Sequence, residues 1–198
     1  MKEPATVTRY LKLILRNAEE LTAMIENVLA FSSSLHSNKN SRPEAIAVGD
    51  VLQHAIAAMM PEIDQAACRI EVNIAAGLPT VAGDPIAVEL VFRNLIGNAV
   101  RHGVGGKWIG VSAVPFGDGV EVRVCDHGPG IPEREQQSIF EPFYRGEQTR
   151  AQRVPGTGLG LSLVKNTIER YQGTVQVVNA TGGGAQFTVR LPALHQTT

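Results

Sequence analysis

Three groups of residues in this sequence have the types and spacing that chemistry needs. In Leu90-Val91-Phe92-Arg93-Asn94-Leu95-Ile96-Gly97-Asn98-Ala99-Val100-Arg101-His102, the polar residues Asn94, Asn98, Arg101 and His102 recur at steps of four, three and one. That spacing makes a polar stripe on an otherwise apolar helix. Buried asparagine amides cost stability unless they are bonded, so a ligand or metal on the stripe is one reading; bonding to neighbouring backbone or solvent is the other. Asp126-His127-Gly128-Pro129-Gly130-Ile131 directly follows a strand pattern and puts a carboxylate at the strand end. The glycines after it let backbone approach a ligand closely, although turns use the same residues. Gly156-Thr157-Gly158-Leu159-Gly160-Leu161-Ser162 opens a helix, where unpaired N–H groups and the helix dipole can hold a phosphate. No G-x-x-x-x-G-K-[ST] loop occurs, since Gly106-Lys107 runs into Trp108. Nor is the cluster a dinucleotide fingerprint, because it lies late in the chain, after a long loop.

The elements that must position these groups follow from periodicity. Glu44 to Val48 reads as a short strand, and Asp50 is placed to cap a helix over Val51 to Ala67 that Pro61 should kink or divide. Arg69 to Ile74 alternates like a strand, and Ile86 to Arg101 has the rhythm of a buried helix. Lys107 to Val114 and Gly119 to Cys125 read as strands joined by the Gly-Asp-Gly turn at 117–119. A helix is expected from Leu159 to Tyr171, then strands near Thr174 to Val178 and Ala185 to Leu191. Strands outnumber the connections a regular parallel sheet would need, so the expected fold is α/β, a mixed sheet covered by helices on one face. The stretch from Ile131 to Pro155 lacks a regular pattern, and a length of that kind usually marks a functional lid.

Ahead of this domain, residues 5–36 contain no glycine or proline, and Val7, Leu11, Ile14, Ala18, Leu21, Ile25, Val28, Ser32 and Leu35 step by fours and threes. This heptad seam predicts one long helix, about 48 Å at 1.5 Å per residue, longer than a domain of this size covers alone. Tyr10, Met24 and Phe31 widen its apolar face beyond a two-stranded zipper, so a helical bundle is expected. The polar run 37–43 reads as a linker, dividing the chain into 1–40 and 41–198.

Composition narrows the function class. Among 198 residues, 43% are hydrophobic, and 18 basic residues face 19 acidic ones. A net charge of -1 provides no general field for a nucleic-acid backbone or an anionic membrane. Cys68 and Cys125 fit neither a metal spacing nor a disulfide framework, which points to a reducing, cytoplasmic setting. No stretch approaches the roughly 18 apolar residues of a membrane span, and the N-terminus has no signal-peptide core.

Taken in order, the segments NLIGNAVRH (94–102), DHGPGIP (126–132), FEPFYRG (140–146), GTGLGLSLVK (156–165) and GGGAQFTVRLP (182–192) resemble the ATP-binding catalytic domain of bacterial sensor histidine kinases. The resemblance covers residues 44 to 192, within an ATPase superfamily that includes gyrase and mismatch-repair proteins. The long helix looks like the second helix of the kinase dimerisation hairpin. The resemblance implies a mixed sheet backed by helices, with the nucleotide between helices and a mobile lid over it. It also implies that Asn98 binds Mg²⁺ bridging the phosphates of ATP, that Asn94 lines the site one turn earlier, and that Arg101 contacts phosphate with His102 beside it. Asp126 would accept the adenine amino group, Gly128 and Gly130 would pass backbone under the purine beside Ile131, and Gly156, Gly158 and Gly160 would wrap the triphosphate. Thr157, Leu159 and Leu161 fall in the same nucleotide-binding segment, and Phe140 and Phe143 would anchor the lid.

Phosphoryl transfer is mostly positioning and charge neutralisation, so Asn98, Arg101 and Arg145 form the expected catalytic set. Hydrolytic relatives carry a glutamate where Asn94 stands, and an amide cannot act as that base. The expected activity is therefore donation of the γ-phosphoryl of Mg-ATP to a histidine on a dimerisation domain. The acceptor should be followed by an acidic residue, but the five histidines here precede Ser37, Ala55, Gly103, Gly128 and Gln196. The chain is thus expected to be the donor part of a larger kinase that does not label itself. Its expected partners are the acceptor domain, the receiver domain of a response regulator and a second copy through the N-terminal helix. No nucleic acid or membrane contact is expected of this part, and anchoring of the parent in the inner membrane stays open. The alternatives are a non-catalytic nucleotide-sensing dimerisation module, and a superfamily ATPase or protein-serine kinase.

Overall fold

The computed structural model of the chain describes residue 10 and residues 44–147, 149 and 156–194. The long helix expected over 5–36, the linker and the division at residue 40 lie outside the described residues, Tyr10 apart. The elements described are β1 (Glu44–Ile46), α1 (Val48–Gln65), β2 (Arg69–Ile74), β3 (Val81–Gly83), α2 (Pro85–His102), β4 (Trp108–Phe116), β5 (Gly119–Asp126), α3 (Gly160–Arg170), β6 (Thr174–Asn179) and β7 (Ala185–Leu191).

Period-two alternation builds the sheet. Ile109, Val111 and Ala113 of β4, Val120, Val122 and Val124 of β5, and Phe187 and Val189 of β7 are all buried, so one face is apolar and must be covered. The three helices cover it, with Phe92, Leu95 and Ile96 of α2 almost fully enclosed between α1 and the strands. The five strands run in the order β2-β4-β5-β7-β6, with β2 and β4 parallel and the other pairs antiparallel. This is the mixed sheet backed by helices that the sequence led us to expect. Among the described residues, no helix is long and apolar enough to cross a membrane.

Two local expectations need correction, and one short strand adds to them. Asp50 does not cap α1: the N-cap is Ala47, whose carbonyl accepts from Asp50 N at 3.1 Å and Val51 N at 3.2 Å. The helix starts a turn earlier because Val48 is fully buried and is drawn into the core. Pro61 sits inside α1 without dividing it, since the burial of Ile63 keeps the last turn in place. The strand β3 escaped notice because Val-Ala-Gly is too short to show a period. It exists through antiparallel pairing with β1, Ile46 opposite Val81.

The face of the sheet away from the helices carries one buried charge. Glu121 is 1% exposed, and its carboxylate pairs with Arg123 and with Arg190, whose Nε lies 2.7 Å from Oε2. The Arg190 guanidinium lies 4.3 Å from the centre of the Phe116 ring. Burial, the largest influence, pushes the Glu121 pKa up, but hydrogen bonds and charge from Arg190 and Arg123 outweigh it and hold it below the ordinary 4.5. The pairing therefore contributes fully above that value and is lost as pH falls through the lowered one. In urea unfolding at a series of pH values, Glu121→Gln should show a smaller loss of stability below pH 4.5 than the parent chain. An equal loss in both would show that the triad does not govern acid stability.

Candidate functional site

The polar stripe of α2 lies at the end of the sheet where β5 finishes. Asp84 caps the helix by accepting from Ile86 N at 2.9 Å, and Pro85 suits the first turn. This fixes a register in which Leu95 and Ile96 face the core while Asn94 and Asn98 are half-buried one turn apart. Asn94 donates through Nδ2 to Leu90 O at 2.9 Å, and its Oδ1 stands where a Cβ on Gly160 would come within 2.6 Å. The first residue of α3 therefore approaches α2 directly at Asn94. Asn98 Oδ1 accepts from Arg101 Nη2 at 3.0 Å.

Arg101 ranks among the exposed residues, yet its guanidinium lies over Gly97, where an added Cβ would be 3.3 Å from Nη1. Desolvation there pushes its pKa below the usual arginine range, and Glu62 on α1 opposes the shift. His102 is pushed below the ordinary 6.5, first by burial and then by Arg101 and Arg145, against the pull of Asp126. Arg101, Arg145 and Asp126 all lie close enough to bias one imidazole, so charges from three separate sequence segments converge on one place.

Asp126 ends β5 and is 4% exposed. Its Oδ1 accepts from Gly128 N at 2.7 Å and from Ala185 N at 3.3 Å. The loop after it is held by close backbone approach. A Cβ on Gly128 would come within 2.5 Å of His102 O, and one on Gly184, which has φ +88°, within 1.8 Å of Asp126 O. Gly130 has φ +73°. The Ile131 side chain packs against the core and is half-buried there.

In the third segment, Thr157 Oγ1 accepts from Leu159 N at 3.2 Å, and Gly158 O accepts from Phe143 N at 3.0 Å. Leu159 is 2% exposed, so its side chain is not available to a ligand, and Leu161 is half-buried against the core. The N–H groups of Gly160, Leu161 and Ser162 form the first turn of α3, where a helix supplies no partner of its own. Gly156 precedes this turn with an exposed backbone. Phe140 packs edge-on to Phe187, centroids 6.4 Å apart, but Phe143 is 69% exposed. Phe143 therefore does not anchor its segment through packing; its backbone bond to Gly158 does.

Two residues escaped the sequence reading. Trp108 stacks on His127 with ring centroids 4.2 Å apart. Asn179 accepts through Oδ1 from Ile131 N at 2.8 Å and donates through Nδ2 to Ile131 O at 2.9 Å. Its signal was present: after Val175 and Val177, the next inward position of β6 is polar.

The chain belongs to the family of histidine kinase-, DNA gyrase B-, and HSP90-like ATPases, whose model matches residues 83–195. It is 29% identical to the sensor-like histidine kinase SenX3 of Mycobacterium bovis over 96% of this chain and 46% of that protein. Of solved structures, full-length ShkA in complex with AMPPNP matches all of this chain, and 41% of its own, with a TM-score of 0.78 at 24% identity. The mycobacterial sensor histidine kinase MprB matches 78% of this chain and 99% of its own with a TM-score of 0.66 at 26% identity. The chain spans about half the length of the curated relatives it matches.

Gly184→Ala forces a Cβ against Asp126 O at a positive φ, whereas nothing lies within 4 Å of a Cβ on neighbouring Gly182. Gly184→Ala should destabilise the fold by about 1–3 kcal/mol, the usual range for overpacking, with Gly182→Ala close to the parent chain in the same thermal melts. Matching melts for the two variants would refute the close approach.

Proposed function

We propose that this chain binds Mg-ATP at the end of β5 and donates the γ-phosphoryl group to a histidine on a dimerisation domain, as the catalytic part of a two-component sensor kinase. The observations that carry this reading are the charges of Arg101, Asp126 and Arg145 acting on His102, the bond of Arg101 to Asn98, and the approach of the glycine-opened start of α3 to Asn94 on the same helix. Gly128 and Ala185 engage Oδ1 of Asp126, which leaves Oδ2 to accept the adenine amino group; a guanine would present an oxygen there. Gly128, Gly130 and the Ile131 backbone lie under the base, and the N–H groups of the segment from Gly156 to Leu161, other than that of Leu159, which Thr157 holds, receive the phosphates.

Among the described residues, no group of three or more His, Cys, Asp or Glu could hold a metal. A magnesium ion bound with a triphosphate takes most of its ligands from phosphate oxygens and water, so the half-buried amide oxygen of Asn98 fits it once Arg101, which bonds that oxygen, turns to the phosphates. Bound there, Mg²⁺ would neutralise phosphate charge. Arg101 and Arg145 add the cations expected around a transferring phosphoryl group. Asn94 already donates to Leu90 O and offers no base for water, which favours transfer to a protein side chain over hydrolysis.

In the whole protein, residues 1–40 would be one long helix, part of a dimerisation helical hairpin through which a homodimer forms. The final acceptor would be a response regulator receiver domain, and this part would lie in the cytoplasm. The heptad seam and the sensor-kinase names of the relatives support this assignment.

Two substitutions test the site. Asn98→Ala should remove the magnesium-dependent part of nucleotide affinity in calorimetric titration; unchanged magnesium dependence would overturn the metal assignment. Asp126→Ala should weaken ATP binding by about 1–3 kcal/mol, as when a buried hydrogen-bond partner is lost. For the activity, an acceptor hairpin supplied in trans with γ-labelled ATP should gain acid-labile label while this chain gains none. Steady phosphate release without any acceptor would favour an ATPase instead.

A further inference from the structure

The hairpin formed by β6 and β7 meets the loop 126–131 at both ends. At one end, Ala185 N donates to Asp126 Oδ1 at 3.3 Å, and Gly184 packs its backbone on Asp126 O. At the other, the Asn179 amide makes a matched pair with the Ile131 backbone, N–H to Oδ1 at 2.8 Å and Nδ2 to C=O at 2.9 Å. Because Ile131 offers one donor and one acceptor, the pair also fixes which way the amide points. Asn179 and Ala185 are register partners in the ladder, and Ala180 N bonds Gly184 O at 3.0 Å, so the two grips are parts of one rigid hairpin end.

Gly130 lies between the grips. A Cβ there would come within 2.7 Å of Asn179 Oδ1 and 3.3 Å of Gly184 O, so the loop passes in contact with both. Gln136 adds a donor to Ile131 O at 3.2 Å. Among the described residues, the side-chain hydrogen bonds of Asn179 go to Ile131, and not to the stripe of α2 or the glycine-rich start of α3. The amide therefore acts on the part of the loop assigned to the base and leaves the phosphate half alone.

We propose that Asn179 is a positioning residue for the nucleobase: it clamps the Gly130–Ile131 backbone at the height at which Asp126 and the loop can receive adenine. The proposal rests on the reading of this site as a nucleotide site. A loop held only by Asp126 would lose part of its binding energy in being ordered when ligand arrives, and the clamp removes that cost beforehand.

The test uses the full chain and three probes: adenosine for the base half, magnesium pyrophosphate for the phosphate half, and ADP for both. In Asn179→Ala, adenosine and ADP should each bind about tenfold more weakly, the scale of two solvent-accessible hydrogen bonds. Magnesium pyrophosphate should bind as it does to the parent chain. The melting temperature reports folding separately. Unchanged adenosine and ADP affinities would overturn the proposal, and so would a loss shared equally by pyrophosphate, which would make Asn179 a general structural residue. If the parent chain bound neither adenosine nor ADP, the nucleotide reading itself would fall and take the clamp with it.

Discussion

A carboxylate buried at the end of a strand must be met by hydrogen-bond donors, and much of this site is arranged around that need at Asp126. One donor, Gly128 N, comes from the turn that follows. The other, Ala185 N, comes from the far side of a hairpin. Reaching Asp126 in this way brings Gly184 against its carbonyl, where only a residue without a side chain fits. The same hairpin end carries Asn179 to Ile131. The loop between 126 and 131 is thus shaped by the sheet more than by its own sequence.

Charge is distributed economically around this point. The chain is nearly neutral, but Arg101, Arg145 and Asp126 lie close enough to act on one histidine. Backbone N–H groups at the start of α3 add positive potential without adding basic residues. A site built from local dipoles and a few fixed cations can receive a highly charged ligand without making the whole surface sticky for polyanions. The opposite face of the sheet handles its buried charge differently, with two arginines closing over Glu121.

Much of the fold was legible because its signals are local. The alternation of β4 and β5, the apolar rhythm of α2 and the Gly-Asp-Gly turn each lie within a few residues, and these elements matched closely in extent. The failures have local causes too. Asp50 looks like a cap by residue type, but a buried Val48 outranks it. Phe143 looks like an anchor by hydrophobicity, but its backbone holds the segment while its ring stays exposed.

The sequence by itself determined the helix and strand types, the family resemblance and the identity of the chemically able residues, because each is written in spacing along the chain. Tertiary structure decided which atoms are engaged. Asn179 meets Ile131 across 48 residues, Ala185 meets Asp126 across 59, and Arg190 meets Glu121 across 69. Such pairings depend on strand order and register, which arise only when separate segments bury a common apolar face. No periodicity along the chain encodes them.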